Sequence, residues 1–156
     1  MLSDTSLQEI QHELSKYPDD RRQSALMAAL RIAQDEHGWL SESLIEHVAG
    51  VIGVPPVRAY EVASFYSMYE LKPVGRHKIS VCTNISCMLR GSDEVVDHLS
   101  KKLGVRLGET TSDGKITLKE AECLAACAGA PMMQVNRDYF ENLTPERIDE
   151  ILDSLS

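Results

Sequence analysis

The sequence has no long hydrophobic run. Its longest apolar candidate, Ala25 to Leu30, is far too short to cross a bilayer. No charged-then-apolar leader opens the chain, which predicts a cytoplasmic protein with reduced cysteines and no direct membrane insertion. A basic excess is missing too: sixteen Lys and Arg stand against twenty-four Asp and Glu. That balance argues against nucleic acid as the main partner, since phosphate contacts supply most of such affinity. Short helices joined by tight turns could suggest a DNA reader in the first half. Between Arg21 and Arg76, however, six basic residues (Arg21, Arg22, Arg31, Arg58, Lys72, Arg76) are matched by six acidic ones (Asp35, Glu36, Glu42, Glu46, Glu61, Glu70). No glycine-rich phosphate loop follows a strand, so no nucleotide cofactor is expected on this chain alone.

Cysteine is scarce, and its placement is the most informative feature present. The four cysteines form two pairs, Cys82 with Cys87 and Cys123 with Cys127, separated by four and three residues respectively. A disulfide framework suits small secreted chains with little core, whereas this chain can bury about two thirds of its unfolded surface. A dithiol redox catalyst usually places two residues between its cysteines, and neither pair does. Two thiolates on one short loop, joined by two more from a distant loop, supply the four ligands of a tetrahedral zinc ion or of an iron–sulfur centre.

Spacing alone leaves zinc open. The surroundings favour an anionic centre. His77 to Cys82 alternates as a strand does, with Ile79 and Val81 apolar. Val95, Val96, Leu99 and Leu103 then recur at helical spacing, and Gly104 stops them, so Cys87 is expected close to a helix N-terminus. A plant-type ferredoxin needs three clustered cysteines and a distant fourth; this chain divides them evenly. A Rieske centre needs two histidines, and none of His12, His37, His47, His77 or His98 accompanies the cysteines in that way.

Val-Cys-Thr-Asn-Ile-Ser-Cys at 81–87 and Glu-Cys-Leu-Ala-Ala-Cys-Ala-Gly-Ala-Pro at 122–131 resemble the two loops of the thioredoxin-like 2Fe–2S family. More narrowly, nearly the whole chain is similar to the small 2Fe–2S subunits of bacterial NADH:quinone oxidoreductases (NADH dehydrogenases), the respiratory complex I enzymes. The resemblance implies one 2Fe–2S cluster held by Cys82, Cys87, Cys123 and Cys127. It implies a flavin- and NADH-binding partner subunit that carries FMN and oxidises NADH, leaving this chain an electron-transfer role without its own active site. It also implies a position peripheral to the inner membrane through the complex. Related subunits serve NAD-linked hydrogenases and formate dehydrogenases. A zinc-structured interaction module would use the same thiolates without redox chemistry. A free-standing ferredoxin would not need the helical first half.

The expected architecture is a helical bundle over 1–75 followed by a thioredoxin-like α/β domain over 76–156. Leu7, Ile10 and Leu14 mark a first helix ending before Pro18. A second should run from about Arg21 to His37 behind Asp19 and Asp20, with Ala25, Ala28, Ala29 and Ala33 permitting close packing. Ser43 with Glu46 suggests a capping box for a third helix, and Pro55-Pro56 suits the first turn of a fourth. Tyr60, Phe65, Tyr66 and Tyr69 read as core of that last helix rather than as a partner surface. Lys72 to Gly75 reads as a linker. Beyond it come strands at Ile116, Met132 and Tyr139 and a final helix capped by Thr144, with Ile148, Ile151, Leu152 and Leu155 on its apolar face. Gly91, Gly129 and Ala130 are small enough to let backbone N–H groups approach sulfur. Glu120 and Glu122 read first as solvated strand-end charges, and Pro131 is a candidate cis residue.

Overall fold

A computed structural model of the chain describes residues 1–155. It divides into two compact units, Met1–Pro73 and Val74–Ser156.

The first unit is all helical. Helix α1 (Asp4–Leu14) starts at Ser3, whose hydroxyl accepts from the Ser6 N–H. The stretch read as one long second helix is broken. A 3-10 turn (Asp19–Ala25), with Arg21 outside helical φ/ψ, precedes α2 (Leu26–His37). Gly38 then closes α2 in the left-handed conformation that favours glycine. Helix α3 (Glu42–Ile52) is capped by Ser41, whose side chain accepts from the Leu44 N–H, so Ser43 and Glu46 do not form the expected box. Pro56 opens α4 (Pro56–Phe65).

Ala25, Ala29 and Ala33 are fully buried and four residues apart, so they form one stripe on which neighbouring helices can approach closely. Ile10, Leu26, Leu30, Ile45 and Ile52 are among the buried residues of the same core, each contributing roughly 1.5–3 kcal/mol on burial. The expectation for the aromatics fails. Only Tyr69 is buried, its hydroxyl donating to the Met27 carbonyl at 2.8 Å, while Phe65 is 80 % exposed and Tyr60 and Tyr66 also face outward. The reason lies in α4. Its buried positions are Ala59 and Ala63, so the close-packed face is made of small residues and the large ones point away.

The second unit holds a four-stranded mixed sheet in the order β2-β1-β3-β4. Strand β1 (His77–Cys82) leads through α5 (Ile85–Leu89) and α6 (Ser92–Leu103) to β2 (Ile116–Ala121). Strands β3 (Met133–Val135) and β4 (Asp138–Phe140) precede α7 (Pro145–Ser154). The β1–β2 pair is parallel, with His77 opposite Ile116 and Cys82 opposite Ala121; β1–β3 and β3–β4 are antiparallel. Parallel partners need a long crossover, and α5 with α6 provides it. Ile79, Leu99, Leu118, Met133 and Ile148 are fully buried in this unit's core. Helices α6 and α7 are also tied by Asp149, whose carboxylate lies 2.8 Å from His98 Nε2 and 3.1 Å from Lys102 Nζ.

Gly75 is not a free linker residue. It is buried, its N–H donates to Thr117 Oγ1 at 2.6 Å, and a Cβ there would lie 2.8 Å from the Ile116 carbonyl carbon.

Candidate metal centre

A parallel pair of strands ends at one edge of a sheet, and β1 and β2 therefore deliver both cysteine segments to the same place. Cys82 is the last residue of β1. Cys123 follows two residues after β2 ends at Ala121. The ladder continues one residue past β1, since the Thr83 N–H donates to the carbonyl of Ala121 at the end of β2, at 3.2 Å. The Cys82 N–H donates to the Met132 carbonyl at 3.2 Å, which brings the start of β3 to the same edge.

Cys87 sits within the five-residue helix α5, which Asn84 caps by accepting from the Ile85 N–H. The expectation that it precedes the Val95 helix is thus revised by one extra short helix. Cys127 opens a 3-10 turn, Cys127–Gly129. The thiols are free, Cys82 and Cys87 buried and Cys123 and Cys127 exposed. The buried pair packs with Ala130 and Met132, and Leu124 and Ala126 lie against them. The site therefore has an apolar inner half and an open outer half.

The thiols influence one another. Burial works against a charged Cys82. The N–H groups of Asn84 and Leu124, with the Cys87 and Cys123 thiols, outweigh it and hold Cys82 below the ordinary thiol range. Burial pushes the Cys87 thiol up to about 11, helped by the hydrogen bond and charge of Cys82 and by the charge of Cys127. Among the described residues, no three His, Cys, Asp or Glu side chains converge as a site for a single metal ion. A two-iron centre does not require that, because each iron takes two protein ligands.

The three small residues do not themselves supply the N–H groups that reach sulfur. Gly91, Gly129 and Ala130 donate to the carbonyls of Met88, Ala126 and Cys127. The donors to sulfur are Asn84, Leu124, Met132 and Ala125, the last at 3.3 Å from Cys123 Sγ. Ala125 has φ 60°, a left-handed conformation that a non-glycine residue seldom adopts, and no residue pattern around it signals this. Pro131 follows a cis peptide bond.

Glu120 is more than a solvated charge: its carboxylate accepts from Thr83 Oγ1 at 2.6 Å, beside Cys82. Glu120 and Glu122 flank a cleft of about 470 Å³ that Thr83, Met88, Asp93 and Asp97 also line. His77 lies at the far end of β1 from Cys82.

The fold and the paired thiols define a class. The chain belongs to the thioredoxin-like [2Fe-2S] ferredoxin family, whose model matches residues 10–156. Within that class, it is 49 % identical over 143 residues to the E subunit of the NADH-quinone oxidoreductase of Rickettsia conorii, covering 91 % of this chain and 86 % of that protein. It is 48 % identical over 150 residues to the E 2 subunit of the NADH-quinone oxidoreductase of Rhizobium meliloti, covering 96 % and 88 %. Among solved structures, the fold is similar to part of the NAD+-reducing [NiFe]-hydrogenase in its air-oxidised state. The TM-score is 0.75 at 22 % identity, over 86 % of this chain and 24 % of that longer one. Among the described residues, no helix is long and apolar enough to cross a membrane.

Proposed function

We propose that this chain is the electron-transfer subunit of an NADH:quinone oxidoreductase, with Cys82, Cys87, Cys123 and Cys127 holding one 2Fe–2S cluster. The observation that carries the proposal is the parallel β1–β2 pair, which ends both cysteine segments at one edge. The donor set fits: four free thiols, two of them buried, with backbone N–H groups of four residues aimed at sulfur. When bound, such a cluster accepts and releases one electron.

The chain's own residues then have distinct tasks. N–H groups of Asn84, Leu124, Ala125 and Met132 offset negative charge on the thiolates. Ala130, Met132 and Leu124 keep water from the inner pair. Cys123 and Cys127 face outward, on the side from which an electron can arrive or leave. Hydride chemistry, with FMN and NADH, belongs to a flavin-bearing partner subunit beside which this chain sits. Residues 1–75 serve mainly to dock there, and 76–156 hold the cluster. Exposed Tyr60, Phe65 and Tyr66 in the helical unit support docking, since aromatic rings are enriched at interfaces. The chain works in the cytoplasm and reaches the inner membrane only through the assembled complex.

The test is to recover the intact tagged chain from membranes of its host. Copurification with a flavin subunit that reacts with NADH, in a quinone-reducing assembly, is the expected result. Recovery with a nickel or molybdenum enzyme instead would move the chain to an NAD-linked hydrogenase or formate dehydrogenase.

A further inference from the structure

The segment after β4 folds back along the second cysteine loop. The Asn142 N–H donates to the Gly129 carbonyl at 2.6 Å, and the Leu143 N–H to the Pro131 carbonyl at 3.0 Å. These two bonds hold residues 141–143 beside 129–131. The Glu141 side chain then lies over Gly129. A Cβ on Gly129 would fall 2.6 Å from the Glu141 Cβ and would overlap its carboxylate. Gly129 is buried and its φ is not positive, so the turn itself does not demand glycine there. What demands it is the room taken by Glu141. The carboxylate is thereby seated on the turn that begins at Cys127.

Glu141 is exposed, and an apolar side chain would fill the same space without placing charge on the turn two residues after Cys127. A fixed negative charge beside an anionic centre disfavours the arrival of an electron. We infer that Glu141 is a positioning residue for the Cys127 loop, and that its carboxylate, made possible by Gly129, keeps the reduction potential of the group held by the four thiols low. The inference rests on the reading of those thiols as cluster ligands. Reduction here adds one electron, supplied by the flavin partner in the complex or by dithionite in a titration, and changes no covalent bond of the chain.

The experiment titrates the intact, cluster-loaded chain and follows the paramagnetic signal of the reduced form. Glu141→Gln keeps the shape and removes the charge. The expected result is a higher midpoint, by at least threefold in the equilibrium constant, or about 28 mV at 59 mV per tenfold. Iron and sulfide contents and the melting temperature should match the wild type, and the shift should shrink at high ionic strength. Gly129→Ala displaces the carboxylate and should move the midpoint in the same direction, while the double variant should match Glu141→Gln alone. An unchanged midpoint at wild-type iron and sulfide overturns the inference, as does a double variant equal to the sum of the singles. A Glu141→Gln chain that melts like the wild type yet retains no cluster also overturns it. Wild-type chain without iron and sulfide would instead defeat the reading of the site itself.

Discussion

Replacing Thr117 with valine tests how the second cysteine segment is anchored. Thr117 is 3 % exposed in β2, and its Oγ1 accepts from the Gly75 N–H at 2.6 Å while bonding Thr110 Oγ1 at 2.7 Å. Valine has the same outline and no oxygen. Thr110 is exposed and can turn its hydroxyl to water. Gly75 is buried and cannot, so its N–H loses its acceptor at a cost of about 1–3 kcal/mol. The added methyl returns about 0.8 kcal/mol by burial. The net loss is roughly 0.2–2 kcal/mol, which for a unit the size of Val74–Ser156 lowers the melting temperature by roughly 1–15 °C. Far-UV circular dichroism on the intact chain measures the melt, and amide exchange at Gly75 measures the local cause. Exchange there should quicken in the variant. A Thr117→Val chain as stable as the wild type, with Gly75 exchange unchanged, would refute the reasoning.

Three further outcomes follow from the same geometry. Gly75→Ala places a Cβ 2.8–2.9 Å from backbone atoms of Lys115 and Ile116, which cannot rotate aside, and should cost about 1–3 kcal/mol in urea unfolding; an unchanged midpoint contradicts this. The hydrogen bond to His98, then that to Lys102, holds the Asp149 carboxyl below its ordinary value of 3.8. A depressed folded-state value means stability that is present above about pH 4 and lost as pH falls through the folded value. The gap between wild type and Asp149→Asn should therefore close as pH falls below about 4; a gap that widens below about pH 4 contradicts the assignment. Phe65→Ser should leave the melting temperature of the isolated chain nearly unchanged, because the ring is 80 % exposed, and should lower recovery of the flavin partner; full recovery would remove that ring from the docking face.

Much of the fold was readable from residue patterns. Gly38, Gly53 and Gly104 all end helices in the left-handed conformation, where glycine carries no Cβ penalty. Thr144 caps α7 with Pro145 in its first turn, as the sequence pattern predicts. The break near Arg21 was not readable, since no glycine or proline interrupts residues 19–25. The aromatics misled for a packing reason: size suggests core, yet Ala59 and Ala63 occupy the buried face of α4. At the cysteines, type and spacing pointed to the chemistry. They could not show that a parallel ladder brings the pairs to one edge. Nor could they show which N–H groups face sulfur, because that depends on the left-handed Ala125 and on a Met132 distant in sequence. Glu141 escaped notice for the same reason, being twelve residues beyond Gly129 in the chain.

The most direct test is metal and sulfide analysis of the intact chain prepared without oxygen, joined to an electron paramagnetic resonance spectrum after reduction. The account predicts two irons and two acid-labile sulfides per chain and a signal that appears on adding one electron, all lost when Cys82 or Cys123 is replaced by serine. Colourless protein carrying zinc, with no sulfide and no signal, would contradict it.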